Sequence, residues 1–359
     1  MPPCGGESHL SPAAWFLVGA TAVGKTAVAQ ALAERTGAAI LSADSMLVYR
    51  GMDIGTAKPP AAERGRVRYF GIDLAGPDEP FSAGTWLAQV RAQLRAAGMP
   101  QAGASAGGGL IVAGGTGLYV RALVQGLDAA AADPARRRHW QERLAREGLD
   151  ALRRELADRA PQAVASLADP DNPRRVIRAL EHVEVHGALP DGWQAAPPPR
   201  LVGLHLPRPV LHARIAARVE KMFAAGFLDE VAALRARFPA WGSDSHTSRG
   251  VRIAAATRPA SCTSGDGGGE TASPVAATAR QAIGYAEACD LLDNRITREQ
   301  AITQIVTRTR QLAKRQETWF RHQAEVTWIE IAADEPAPAM AMRVLAAWRE
   351  HGPTPIRLS

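Results

Sequence analysis

The chain has 359 residues, of which 46 % are hydrophobic and 22 % charged, a composition typical of soluble globular proteins. The length suggests one large domain with an insertion, or two domains. The net charge of +6 favours polyanionic partners. The three cysteines are far apart and lack C-x-x-C spacing, which argues against a zinc site or disulfide framework. No apolar stretch has membrane-span length and the N-terminus lacks a signal-peptide pattern, so we expect a cytoplasmic protein without membrane contact.

The strongest motif is a phosphate-binding loop that fits G-x-x-x-x-G-K-[ST] without a mismatch. Its residues are Gly19, Ala20, Thr21, Ala22, Val23, Gly24, Lys25 and Thr26. The apolar run 15–18 predicts a buried strand before the loop, and 26–35 predicts the following helix. In that context backbone N–H groups and Lys25 bind phosphate oxygens, and the Thr26 hydroxyl can bind Mg²⁺. The sequence therefore predicts a di- or triphosphate site.

Strands and helices alternate along most of the chain, which predicts an α/β fold: a P-loop NTPase-like parallel sheet flanked by helices. The predicted strands are Trp15–Gly19, Ala39–Ala43, Leu110–Ala113, Leu201–Leu206 and Val326–Ile331. A stretch with helical signals only, at Arg136–Glu147, Leu149–Asp158 and Arg174–Val185, predicts a small all-helical insertion domain.

These signals divide the chain into domains. The predicted boundaries are 12–132 for the first part of the core, 133–199 for the helical insertion, and 200–240 with 278–345 for the second part, including a basic C-terminal helix. The composition of 101–109 and 241–277 predicts disordered loops, and 190–199 reads as a linker.

Two turns after predicted strands carry residues suited to chemistry. Asp44 follows the second strand, where side chains face the ligand crevice of such a sheet. It either caps the next turn or acts as a general base or water-mediated Mg²⁺ partner. Lys58 is either a solvated loop lysine or a second phosphate contact. The third strand runs into 114–119, where glycines allow close approach to a ligand or a tight turn. It lacks the second metal-binding aspartate of an ordinary ATPase.

Basic residues cluster in three segments: 136–138, 172–181 and 307–321. The last segment is predicted to be a helix with an apolar stripe through Ile302, Ile305, Leu312 and Trp319. A single basic helix is usually a solvated surface, but three clusters favour binding to a nucleic acid backbone.

Six segments together resemble the bacterial tRNA dimethylallyltransferases, also called tRNA isopentenyltransferases, over 17–328. The segments are the phosphate loop, 44–59, 114–119, 174–181, 281–285 and 309–321. The resemblance implies transfer of a dimethylallyl group from dimethylallyl diphosphate to N6 of the adenosine immediately 3′ of a tRNA anticodon. It implies that the phosphate loop and Mg²⁺ hold the donor's diphosphate. Asp44 is then the general base, Thr116 a hydrogen-bonding group at the reacting centre, and Arg218 a cation for the leaving diphosphate.

The resemblance also implies a tRNA-binding set, and we expect the protein to be a monomer. The set is Asp44, Ser45, Met46, Leu47, Thr116, Arg137, Arg174, Arg175, Val176, Ile177, Arg178, Gln281, Ala282, Ile283, Gly284, Tyr285, Ala286, Lys314, Arg315, Gln316, Trp319 and Arg321. The family usually has glutamine where Leu47 stands and a basic residue where Ala286 stands. The connection 241–277 is longer than the family's.

Two alternatives stay open on the residues alone. The first is a nucleoside or small-metabolite kinase, which would leave the basic helices without a task. The second is an RNA-binding protein with a degenerate nucleotide loop, against which the intact Lys25 and Thr26 argue.

Overall fold

The computed structural model of this chain describes residues 12–99, 109–127, 133–167, 169–189, 199–238 and 278–358. They form two compact units. The first contains the described residues up to 126 together with 199–238 and 278–358, and the second contains those between 127 and 189. No helix in these ranges is long and apolar enough to span a bilayer.

The first unit is built on a mostly parallel sheet. Its described strands are β1 (Ala13–Gly19), β2 (Ala39–Ser42), β3 (Tyr69–Phe70), β4 (Leu110–Gly114), β5 (Arg200–His205), β6 (Glu325–Glu330) and β7 (Thr354–Pro355). The order is β3-β2-β4-β1-β5-β6, and β7 pairs antiparallel with the start of β1. β1 is central because nearly all its side chains are buried and apolar, as a parallel strand covered on both faces requires.

Helices cover the sheet of the first unit. They are α1 (Lys25–Thr36), α2 (Ala61–Arg64), α3 (Ala83–Ala96), α4 (Gly117–Gln125), α9 (Arg208–Ala224), α10 (Phe227–Arg237), α11 (Tyr285–Leu292), α12 (Arg298–Gln323) and α13 (Ala337–His351). α13 packs its Trp348 against β1, and the indole Nε1 donates to the Phe16 carbonyl at 3.1 Å. The basic helix α12 is therefore not the final element, and the fold continues past the predicted end at 345.

The register of the sheet positions the candidate site. Val18 lies beside Gly114 across β1 and β4, and Ser42 lies beside Ala113 across β2 and β4. The carboxyl ends of these strands therefore meet at one edge. The turns that follow them carry the phosphate loop, Asp44 and Thr116.

The second unit contains only helices in its described residues. They are α5 (Pro134–Glu147), α6 (Leu149–Arg159), α7 (Pro161–Ser166) and α8 (Pro173–His186). Trp140, Leu152, Leu156, Val176 and Leu180 form the centre of its apolar core. The N-cap residues of α5 and α8 are Asp133 and Asn172, whose side chains accept from backbone N–H groups of the first turn. Each N-cap is followed by a proline at the first helical position.

The predicted α/β fold class with a helical insertion is confirmed. Each predicted strand is present within one or two residues, as are the helix after the phosphate loop and the three helices of the insertion. The helix predicted from the basic segment 307–321 is longer than that segment and begins at Arg298. Most of the predicted loops at 101–109, 190–199 and 241–277 lie outside the described residues.

Candidate active site

The phosphate loop joins β1 to α1 in the conformation that the motif requires. Gly19 has φ +142° and a Cβ there would lie 2.7 Å from the Leu204 carbonyl oxygen. Gly24 has φ +108°, also in the region that glycine tolerates. Lys25 Nζ folds back and donates to the carbonyls of Gly19 at 2.9 Å and Ala20 at 2.7 Å. The lysine thus lies against the loop in which a phosphate would bind.

The charges of Asp44 and Arg218 both act on the ammonium group of Lys25. Burial lowers the pKa of Lys25 to about 8, while the charge of Asp44 raises it and that of Arg218 lowers it. Burial also lowers the pKa of Arg218, and Asp44 again opposes the shift. One carboxylate and two cations are therefore close enough to influence each other's protonation.

Asp44 lies in the turn after β2, and its Oδ1 accepts from the Met46 backbone N–H at 2.9 Å. The Asp44 side chain thus caps the turn that follows it, which is one of the two roles predicted for this residue. Thr116 fixes the neighbouring turns: its N–H donates to the Ala43 carbonyl at 3.1 Å, and its Oγ1 accepts from the Ser45 N–H at 3.0 Å.

Arg218 comes from α9 and reaches the phosphate loop. Its Nη2 donates to the Thr56 carbonyl at 3.1 Å, and its Nη1 lies 3.5 Å from the Thr21 hydroxyl oxygen. The preceding turn of α9 supplies Arg214, which donates to the Val23 carbonyl at 3.2 Å. Arg218 was predicted from the sequence but Arg214 was not, although Arg214 lies four residues earlier and therefore on the same face of α9.

A cavity of about 300 Å³ lies over the phosphate loop. Lys25, Thr26, Asp44, Thr56, Arg218 and Gln316 are among the residues that line it. The structure therefore brings together the predicted diphosphate loop, the predicted base and the predicted arginine. Thr116 is not among the described residues that line the cavity, and it holds the backbone beside Asp44.

Gln316, which is predicted to contact tRNA, lies against the phosphate loop and lines the cavity. Its Oε1 accepts from the backbone N–H of Thr21 at 2.8 Å. The glycines after β4 make room for α12: a Cβ on Gly115 would lie 2.4 Å from Gln316 Nε2, and one on Gly117 would lie 2.2 Å from the Trp319 ring. These glycines thus permit close approach of helix α12. The two alternatives from the sequence were close approach to a ligand and a tight turn.

Lys58 fits neither alternative considered for it. Its side chain is buried, and Nζ donates to the Tyr49 carbonyl at 2.7 Å, to Asp53 Oδ1 at 2.5 Å and to Asp73 Oδ1 at 2.7 Å. It is a structural cation that holds the loop following β2, and not a solvated lysine or a phosphate contact.

Four side chains predicted to contact tRNA are buried. Val176 and Ile177 belong to the apolar core of the helical unit, and Ala282 and Tyr285 are buried in the first unit. A direct side-chain contact at these positions does not agree with this packing. Leu47 is largely buried too and lines the cavity.

Other predicted tRNA contacts remain accessible. The exposed ones are Arg137, Arg174, Arg175, Gln281, Lys314, Arg315 and Arg321, and those of intermediate exposure are Ser45, Met46, Arg178, Ile283, Ala286 and Trp319. Gly284 is buried and has φ +104°. Arg137 is paired within its own unit: it makes a bidentate contact with the fully buried Glu181, which also accepts from Arg178 at 3.2 Å.

The predicted apolar stripe of α12 is displaced. Ile305 is buried as expected, but Ile302, Leu312 and Trp319 are only partly so. The buried positions are Ala301, Ile305, Val306, Ala313 and Phe320. Alanines sit on the buried face because the helix lies close to its neighbours, a constraint that a count of large apolar residues misses.

Few protein groups at the cavity could bind a metal. The described residues contain no cluster of three His, Cys, Asp or Glu side chains suited to a metal. Thr26 is exposed at the start of α1, and the Ser42 hydroxyl at the end of β2 is buried without a hydrogen-bond partner among the described residues. Both line the cavity and offer oxygen. Such a set suits Mg²⁺ that keeps waters and binds mainly through phosphate oxygens. Ser42 was not predicted to be a site residue, because a serine at the end of a strand is common.

Comparisons with known proteins identify the family. The model of the family described as IPP transferase matches residues 47–323. The chain is 40 % identical over 341 residues to the tRNA dimethylallyltransferase of Anaeromyxobacter sp. (strain K), covering 92 % of this chain and 96 % of that protein. It is 38 % identical over 348 residues to the tRNA dimethylallyltransferase of Stenotrophomonas maltophilia, covering 94 % and 98 %.

Solved structures agree. The full-length tRNA isopentenylpyrophosphate transferase of Bacillus halodurans superposes with a TM-score of 0.55 at 32 % identity, covering 94 % of this chain and 97 % of that one. A eukaryotic dimethylallyltransferase acting on tRNA has the same fold, with a TM-score of 0.68 at 20 % identity, covering 96 % and 81 %. With the phosphate loop, Asp44 and Arg218 around one cavity, these matches show that the chain belongs to the tRNA dimethylallyltransferase (IPP transferase) family.

Proposed function

We propose that this protein transfers a dimethylallyl group from dimethylallyl diphosphate to N6 of the adenosine immediately 3′ of a tRNA anticodon. The observation that carries the proposal is the placement of Asp44, Lys25 and Arg218 around a cavity over the phosphate loop. One carboxylate faces two cations there, which suits an acceptor that loses a proton and a donor that loses an anion.

The reaction follows from these groups. The N6 amine attacks C1 of the dimethylallyl group, the C1–O bond breaks, and diphosphate leaves with the bonding electrons. Asp44 accepts the N6 proton as the C–N bond forms. Lys25, Arg218 and the N–H groups of the phosphate loop stabilise the negative charge on the departing diphosphate.

Mg²⁺ fits the oxygen groups at this site and would neutralise part of the diphosphate charge. The Thr26 hydroxyl would hold it together with the donor's own oxygens. Ser42 is the nearby orphan hydroxyl that could orient one of its waters.

The tRNA side of the proposal rests on exposed cations. Arg174 and Arg175 on α8, and Lys314 and Arg315 on α12, are exposed and have no ion pair among the described residues. They suit the phosphate backbone. A base inside a cavity of this size must leave its stack, so the target adenosine is expected to be flipped out.

The deciding experiment uses dimethylallyl diphosphate labelled in its prenyl group, with tRNA and Mg²⁺ and without ATP. We expect label in the RNA, and a Lys25→Ala variant should incorporate much less. A kinase would instead need ATP and would leave the RNA unlabelled. The family match gives the kinase alternative no support.

A second assay locates the acceptor. Nuclease digestion of the labelled tRNA should place all label on the adenosine 3′ of the anticodon. A transcript with guanosine at that position is the matched control and should take up none. Label elsewhere would contradict the proposed acceptor.

A further inference from the structure

A single carboxylate, Glu230, holds the loop that carries one of the partners of Arg218. Glu230 lies in the first turn of α10. Its Oε2 accepts from the backbone N–H groups of Asp53 at 2.8 Å and Ile54 at 2.6 Å, and its Oε1 accepts from Gly55 at 3.1 Å. Three consecutive N–H groups on one carboxylate make a charge-assisted clasp on this loop.

Tyr285 fixes the carboxylate from the other side. Its hydroxyl donates to Glu230 Oε1 at 2.7 Å, and its ring is fully buried edge-on against Phe227 at a centroid distance of 5.2 Å. Burial and the Glu230 charge raise the pKa of Tyr285 well above its ordinary value, so its hydroxyl remains a donor. Gly55 is required here, because a Cβ would lie 2.4 Å from Phe227 and 2.6 Å from the Tyr285 hydroxyl.

The clasped loop continues directly into the cavity. Ala57 N–H donates to the Ile54 carbonyl at 3.0 Å, which closes a tight turn. That turn presents the Thr56 carbonyl to Arg218 Nη2 at 3.1 Å. The other end of the guanidinium faces the Thr21 hydroxyl of the phosphate loop. The path from Glu230 to Arg218 therefore consists of backbone hydrogen bonds in one turn.

We infer that Glu230 is a positioning residue for the transfer reaction: it holds the 53–57 turn so that Thr56 aims Arg218 at the diphosphate. The inference rests on the proposed function, because it gives Arg218 a leaving group to stabilise. Glu230 lies outside the cavity lining and has no part in the chemistry itself.

Glu230→Gln keeps the size of the side chain but sets an amide N–H₂ against N–H groups that need an acceptor. We expect kcat for transfer and the affinity for inorganic pyrophosphate each to fall about tenfold, while the KM for tRNA stays the same. Tyr285→Phe removes only one bond to the carboxylate and should lower the same two quantities about two- to fivefold. Val231→Ala, the next position on α10 and fully buried, is the matched control: it should lower the melting temperature without changing pyrophosphate affinity.

A double-mutant cycle makes the test specific. In an Arg218→Ala background, Glu230→Gln should have little further effect on kcat or pyrophosphate affinity, since both act through one guanidinium. Additive losses would overturn the inference, as would a Glu230→Gln variant that melts earlier yet keeps both quantities. Pyrophosphate binding also separates this inference from the proposed function. If the wild type transferred no label to tRNA, the proposed function would be wrong, but the double-mutant cycle on pyrophosphate affinity would still test whether Glu230 positions Arg218.

Discussion

The cations of the cavity and the cations of the helical unit are partnered in opposite ways. In the cavity, Lys25 donates to two peptide carbonyls and Arg218 to a third. In the helical unit, most arginines with partners face carboxylates. Those pairs include Arg136 with Glu184, Arg137 with Glu181, Arg143 with Glu147, and Arg153 with Asp171.

The difference determines which charges can act on a ligand. A peptide carbonyl satisfies a hydrogen-bond donor but leaves the positive charge uncancelled, whereas a carboxylate cancels it at close range. Lys25 and Arg218 thus keep most of their charge for an arriving diphosphate, and Asp44 is the one carboxylate among the described residues that line the cavity. Many arginines of the second unit instead stabilise helices, so a basic segment overstates the charge available to RNA.

The largest expected effect comes from removing the carboxylate of Asp44, which lines the cavity. Asp44→Asn keeps the size of the side chain and a carbonyl oxygen for the Met46 N–H, but it cannot accept the amine proton. Single-turnover transfer should fall about 10²–10⁴-fold, while pyrophosphate and tRNA affinities change little. Retention of more than about half of the wild-type rate would remove Asp44 from the role of base.

Arg137 sharpens the comparison, because its partner Glu181 is fully buried. Arg137→Gln leaves that carboxylate to Arg178 alone and should lower the free energy of unfolding by about 1–3 kcal/mol, measured by denaturant titration. Arg138→Gln is the matched control, since Arg138 is exposed and has no ion pair among the described residues. Equal stability of both variants would mean that the pairing is energetically unimportant.

Lys25 gives the cavity a pH dependence. Because its pKa is lowered to about 8, the empty site holds charged lysine below that pH and increasingly neutral lysine above it. Diphosphate favours the charged form, so pyrophosphate affinity should fall as pH rises from 7 to 9, with proton uptake in calorimetry. Lys25→Arg keeps its charge over this range. If that variant binds, its affinity should depend less on pH, and an equal dependence would point to another group.

The smallest effects are expected from exposed cations that have no carboxylate partner. Arg174→Gln and Arg315→Gln should each make tRNA binding less steep in log salt by about one counterion, without altering pyrophosphate affinity. Arg153→Gln is the comparison, because Arg153 already pairs with Asp171. Filter binding at several salt concentrations measures all three. A slope change for Arg153 as large as for Arg174 would break the distinction drawn here.

Local patterns predicted the fold well because the strands of a parallel sheet are continuous apolar runs. The phosphate loop, Asp44 and Arg218 were also assigned to one site. The contacts that complete the site were not, since they join distant parts of the chain. Gln316 meets Thr21, and Glu230 meets the 53–55 backbone, through the fold alone.

Burial was the second property that motifs did not convey. Lys58, Val176 and Tyr285 lie in segments matched to a functional family, yet their side chains are buried. A motif shows which residues recur together. It does not show whether a residue recurs because it contacts a ligand or because it supports a residue that does. Only packing separates these two reasons.

The pairing of β7 with β1 bears on how the protein is made. Ala13 and Ala14, which begin the strand leading into the phosphate loop, pair with Pro355 and Thr354. Trp348 covers the same strand. The start of β1 can therefore gain this edge pairing and this cover only after residues 348–355 have been synthesised. Completion of the phosphate-loop strand thus depends on a segment that is distant from it in sequence.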